Sequence, residues 1–143
     1  MKRCILAVIV ALLAVTAAPA LAGPPNRYFL VRDTQRSPQD IVSAVKAYVE
    51  KQGWVYVNDA ELKGVVFVKF CVPALAKDIF AAGDHIAALL PCGSMAVYEK
   101  NGKTQISMLH PDYMNALYPD PNLARAAEKG LPMFQALLDA VTR

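Results

Sequence analysis

Apolar residues recur along this chain with two different periods, and the order of those periods predicts its elements. Tyr28 to Asp33 reads as a first strand. Ser37-Pro38-Gln39-Asp40 then opens a helix. Serine suits the cap, proline suits the first helical position, and the acid lies at the positive end of the dipole. Ile41, Val45, Tyr48 and Val49 follow at helical spacing, and Gly53 closes that helix. Trp54 to Val57 is a second strand, aromatic and β-branched. After Gly64, Val65 to Cys71 alternates as a third strand. Val66, Val68 and Phe70 form its more uniformly apolar face, while Lys69 on the other face predicts that this side is partly open to water. Pro73 to Ala82 reads as a short helix closed by Gly83.

Met95 to Lys100 and Lys103 to Leu109 are two strands around Asn101-Gly102, a dipeptide that favours a tight hairpin. Glu99 and Lys103 are expected to pair across that turn as a solvated contact of little energetic value. His110 to Pro119 reads as a loop. Asn122 to Thr142 is a last helix, in which Gly130 and Pro132 predict a kink or a split. The order is β-α-β-β-α-β-β-α. Directly connected strands favour antiparallel pairing, so the expected class is α+β: a two-layer, antiparallel-rich sheet packed by helices.

The first residues change how the composition is read. Lys2 and Arg3, the apolar run Ile5 to Val15, and Ala20-Leu21-Ala22 after Pro19 have the pattern of a cleavable export signal over residues 1–22. The rival is a membrane anchor, but the stretch is alanine-rich, broken by Pro19, and followed by no basic cluster. Residues 23–143 would then form one domain in the periplasm or outside the cell. Losing Lys2 and Arg3 takes two of the 15 basic residues and nearly balances the remainder against 12 acidic ones. No basic stripe is left to bind nucleic acid, and no later segment is apolar for long enough to span a membrane.

Export also gives the cysteines their interest. Cys4 would leave with the signal, so Cys71 and Cys92 remain. Cys71 ends the third strand and Cys92 lies just before the fourth, so antiparallel pairing would bring them to one end of the sheet. Three readings stand open: a structural disulfide, two reduced packed thiols, and a redox or soft-metal pair. The spacing is not C-x-x-C. Met108, His110 and Met114 cluster near Tyr113, and thioether and imidazole beside a thiolate suit copper or haem iron; the alternative is a core methionine and an ordinary loop histidine. His85 beside Asp84 could be a general base, but no positioned nucleophile accompanies it. There is no nucleophile elbow, phosphate loop, dinucleotide fingerprint or H-E-x-x-H. An enzyme of a common class is hard to assemble from these parts, no catalytic residue stands out, and no cofactor is named.

VVFVKFCVPALAKDIFAAG, LLPCGSMAVYEKNGKTQISML and HPDYMNALYPDPNLARAAEKG, preceded by SPQDIVSAVKAYVEKQGWVYV, resemble the domain-of-unknown-function 302 family over nearly all of residues 23–143. The most specific element is Pro91-Cys92 followed by Val97-Tyr98-Glu99. Members often carry a cysteine where Cys71 stands and a methionine where Met114 stands. Many have arginine after the Pro-Cys pair, where this chain has Gly93. The resemblance implies a compact α+β domain, often a homodimer and commonly exported, with no established activity. Three functions are therefore expected in this order: a non-enzymatic periplasmic domain holding a small ligand or soft metal near Cys71, Cys92, Met108, His110 and Met114; a structural dimerising module; and a thiol–disulfide redox protein.

Overall fold

The computed structural model describes residues 27–90 and 92–143; the expected export signal, with Cys4, and Pro91 lie outside the described residues. Five strands form one antiparallel sheet: β1 (Phe29–Thr34), β2 (Val55–Leu62), β3 (Val65–Cys71), β4 (Gly93–Lys100) and β5 (Lys103–Leu109), in the order β1-β5-β4-β3-β2. Two tight turns build most of it. Asn101 and Gly102 take φ of 53° and 74°, and Lys63 and Gly64 take 52° and 76°. Positive φ at both central residues matches the right-handed twist of the strands they join. The first turn was legible as Asn-Gly. The second hides behind a lysine, so β2 runs five residues past the predicted Val57, and Asn58, Asp59 and Glu61 join an edge strand.

The helices are α1 (Pro38–Lys51), α2 (Pro73–Ala81), α3 (Tyr113–Leu117) and α4 (Pro121–Thr142), with a 3₁₀ turn over Asp84–Leu89. Ser37 caps α1 as expected, its Oγ accepting from Asp40 N–H at 3.1 Å. Asp120 caps α4 by accepting from Asn122 N–H at 2.7 Å. Of the expected kink or split at Gly130 and Pro132, the split does not occur: α4 is a single helix of 22 residues with Pro132 inside it. Pro132 lies on the solvent side, where water can serve the carbonyl that loses its partner. Gly130 faces inward instead. A β-carbon there would stand 3.1 Å from Leu75 and 3.3 Å from Pro111, so the missing side chain lets α4 approach α2 and the segment after β5. The segment read as a loop after His110 contains α3.

The helices cover one face of the sheet. Ile41, Val45 and Val49 of α1 and Phe134, Leu137 and Leu138 of α4 are fully buried, against Val68, Phe70, Val97, Ile106 and Met108 from the strands. An aromatic series runs through this core. Tyr48 meets Trp54 edge-on at 5.7 Å, Trp54 stacks on Phe70 at 5.7 Å, and Phe70 meets Phe134 edge-on at 5.8 Å. Among the described residues no helix covers the opposite face. There Phe29, Val31, Val55 and Leu62 remain 41 to 61% exposed, and Lys69 lies on that side as its position in the alternation predicts. The expected Glu99–Lys103 contact is absent from the ion pairs among the described residues. The register sets Glu99 opposite Thr104 and Lys103 opposite Lys100, so the two side chains leave opposite faces.

Candidate functional site

The ladder between β3 and β4 ends with Phe70 paired to Gly93. One step further in the same register sets Cys71 opposite Cys92, so antiparallel pairing brings the two thiols together at one end of the sheet. Both are free thiols. Cys92 is 6% exposed, Cys71 is half-buried, and their side chains lie close enough to hydrogen-bond. Burial pushes the Cys92 thiol above its ordinary pKa, with Cys71 adding to the rise; a backbone hydrogen bond at Val72 opposes it without cancelling it. A buried, protonated thiol is a poor nucleophile at neutral pH.

Gly93 is what lets this end of the sheet close. A β-carbon there would fall 2.2 Å from the ring of Phe70, so that ring occupies the space a side chain would need. No side chain can be accommodated at this place while Phe70 keeps its stack on Trp54. Gly93 thus goes with an aromatic packed across the strand pair, one residue along the chain from Cys71.

Tyr113, the first residue of α3, completes the surroundings. Its hydroxyl donates to the carbonyl of Leu89, and burial, then Cys92, then Cys71 push its pKa up to about 12. It stays a neutral phenol that ties the 3₁₀ segment before Cys92 to the segment after β5. The sequence set Tyr113 beside the Met-His cluster, but nothing in the pattern signalled this role. Met114 follows it, 4% exposed, and with Cys92, Leu75, Ile79 and Phe134 lines an apolar cavity of about 10 Å³. That is room for roughly one water molecule, not an organic ligand.

Of the other sequence candidates, His110 lies at the same sheet end, opposite Gly93 when the β4–β5 register is continued. Met108 is fully buried in β5, opposite Met95 and Leu30, as a core side chain of the sheet. His110 is engaged in the turn after β5. Its backbone N–H donates to Tyr28 O at 2.8 Å, and its Nδ1 accepts from Asp112 N–H at 3.2 Å. His85 packs edge-on against Tyr118 at 4.9 Å. Among the described residues no group of three or more His, Cys, Asp or Glu side chains is arranged to hold a metal ion. The sulfur-bearing side chains at this sheet end are the two thiols and Met114, which lines the cavity with Cys92.

No curated protein matches the chain. A crystal structure of an uncharacterized conserved DUF302 protein from Bacillus stearothermophilus is similar, with a TM-score of 0.70 and 20% sequence identity over 81% of this chain and 98% of that one. At that identity the likeness speaks for the fold. The family model "Domain of unknown function DUF302" matches residues 31–141, from the third residue of β1 to the last turn of α4. The match spans every strand and both cysteines, and the chain belongs to the DUF302 family.

Proposed function

We propose that this protein is a non-enzymatic, exported binding or accessory domain whose site is the Cys71–Cys92 pair, and that the site takes a soft monovalent cation, copper(I). The observation that carries the reading is the register: continuing the β3–β4 ladder by one pair sets the two free thiols face to face. Thiolate and thioether donors select copper(I), and a two- or three-sulfur site needs no histidine or carboxylate. Met114 supplies a third sulfur from the cavity it shares with Cys92. The raised pKa of Cys92 weighs against the redox alternative, which needs an accessible thiolate to start exchange.

Each ligating thiol gives its proton to solvent when it binds the cation. The apparent affinity therefore rises with pH below the thiol pKa, by about tenfold per pH unit for each proton released. The test is competition for copper(I) between the reduced protein and a chromogenic chelator. One equivalent bound, with an affinity that climbs with pH and collapses in Cys92→Ser, is the expected result. Absence of binding, or binding unchanged in Cys92→Ser, contradicts it. Alkylation of both thiols beforehand abolishes binding on this reading, and so does oxidation of the pair to a disulfide.

A further inference from the structure

Two neighbouring rows on the sheet face away from the helices enclose a trough. One row runs Lys69, Ser94, Leu109 and Phe29 from β3 to β1, with Ser94 set opposite Leu109 by continuing the β4–β5 register one pair. The next row runs Phe67, Ala96, Ser107 and Val31. Ser94, Ala96 and Ser107 are small and make the floor, while Phe67 stands on one side and Phe29 with Leu109 on the other. The trough measures about 180 Å³, roughly six times the ~30 Å³ that a water molecule takes in the liquid. Covalently bonded atoms pack more closely than separate waters, so it holds an organic molecule of about ten non-hydrogen atoms.

One corner of this trough presents donors without acceptors. Lys69 Nζ donates to Ser94 Oγ at 2.5 Å. An ammonium carries three N–H donors and no acceptor, so the serine oxygen accepts and its own O–H points elsewhere. Among the described residues no acceptor takes that O–H, and Lys69 joins no ion pair. Both residues are half-buried, at the edge of the apolar walls. We infer that the trough binds a small amphipathic carboxylate of the arylacetate kind. Its carboxylate sits on Lys69 and Ser94, and its ring lies over Ala96 between Phe67 and Phe29.

Charge and shape select this class together. A carboxylate has one oxygen for the lysine N–H and one for the serine O–H, and both bonds are charge-assisted. The acid on this face, Asp33, is engaged elsewhere: it accepts from Gln105 Nε2 at 2.9 Å. It lies three strands across and four residues along from Lys69. At ~4.8 Å per strand and ~3.4 Å per residue that is about 20 Å, beyond the range at which salt leaves a repulsion unscreened. Lys100 and Lys103, paired across the hairpin, stand on the same face and add to its positive potential. The phenyl rings of Phe67 and Phe29 offer an aromatic ligand stacked or edge-on contact. Apolar walls with a few convergent polar groups are the usual make-up of a small-molecule site.

The inference does not depend on the thiol site, and its test leaves Cys71 and Cys92 untouched. Phenylacetate, which matches the trough in size, is titrated into the reduced, metal-free protein and followed by two-dimensional amide NMR. Saturable shifts centred on Phe67, Lys69, Ser94, Ala96 and Ser107 are expected. Phenylacetamide, neutral and of the same shape, binds at least about tenfold more weakly, and Lys69→Met weakens phenylacetate binding by a similar factor. Lys69→Arg keeps the binding. Circular dichroism checks the fold of each variant. Should Lys69→Met fail to fold, the comparison of acid and amide on the wild type decides alone. Absence of saturation by about 10 mM, or shifts spread over other surfaces, overturns the inference. Equal binding of acid and amide does the same. A second copy seated on this face would appear in sedimentation velocity as a dimer that shuts the probe out, and that result overturns it as well.

Discussion

Cys92 and Gly93 show how much two adjacent residues can decide. Cys92 is held as a neutral thiol because burial penalises its charged form. The consequence for stability follows from linkage. Below the ordinary thiol pKa both folded and unfolded chains keep the proton, and the contribution is fully present. As pH rises, the unfolded chain loses its proton first, so stability falls as pH climbs through the raised folded value. Chemical denaturation from pH 8 upward should therefore show an alkaline decline that is shallower in Cys92→Val. Tyr113, raised to about 12, loses its own contribution over a higher range, and Tyr113→Phe separates the two. An alkaline slope unchanged by Cys92→Val contradicts the assignment. Gly93 makes a second prediction. Gly93→Ala drives a β-carbon to within 2.2 Å of the Phe70 ring and should cost about 1–3 kcal/mol through overpacking. A neutral substitution, measured by denaturant midpoint, would mean that Phe70 is free to leave.

At the scale of elements, local chemistry made most of the architecture legible. The Ser37 cap, the Asn101-Gly102 turn and the alternation of β3 each point one way without tertiary help. The misreadings have a physical source. Lys63 at positive φ gives no glycine or asparagine signal at that place, so the length of β2 was hidden. Gly130 looked like a helix breaker because its reason is tertiary: the close approach to Leu75 and Pro111. Pro132 looked like another, yet on an exposed face it costs a backbone bond without ending the helix. Pro132→Ala restores the missing donor and should stabilise the protein by about 1 kcal/mol or more, read as a higher melting temperature. A lower melting temperature would show that the proline ring itself packs usefully.

At the scale of the whole molecule, the described residues form one layer of helices over a five-stranded sheet, with the thiol pair at one sheet end and a face that none of these helices covers. The meeting of Cys71 and Cys92 was legible because a strand end and a strand start in antiparallel neighbours must lie together. Tyr113 was not, since its part depends on how the 3₁₀ segment and α3 pack. Among the other sequence candidates, His110 accepts a turn hydrogen bond at Nδ1 and Met108 is fully buried in β5. The proposed site rests on the sulfur atoms at that sheet end. The most direct test is copper X-ray absorption on the reduced protein carrying one equivalent of copper(I). A first shell of two or three sulfur atoms with no nitrogen or oxygen is the predicted result, and a shell containing imidazole nitrogen or carboxylate oxygen would contradict it.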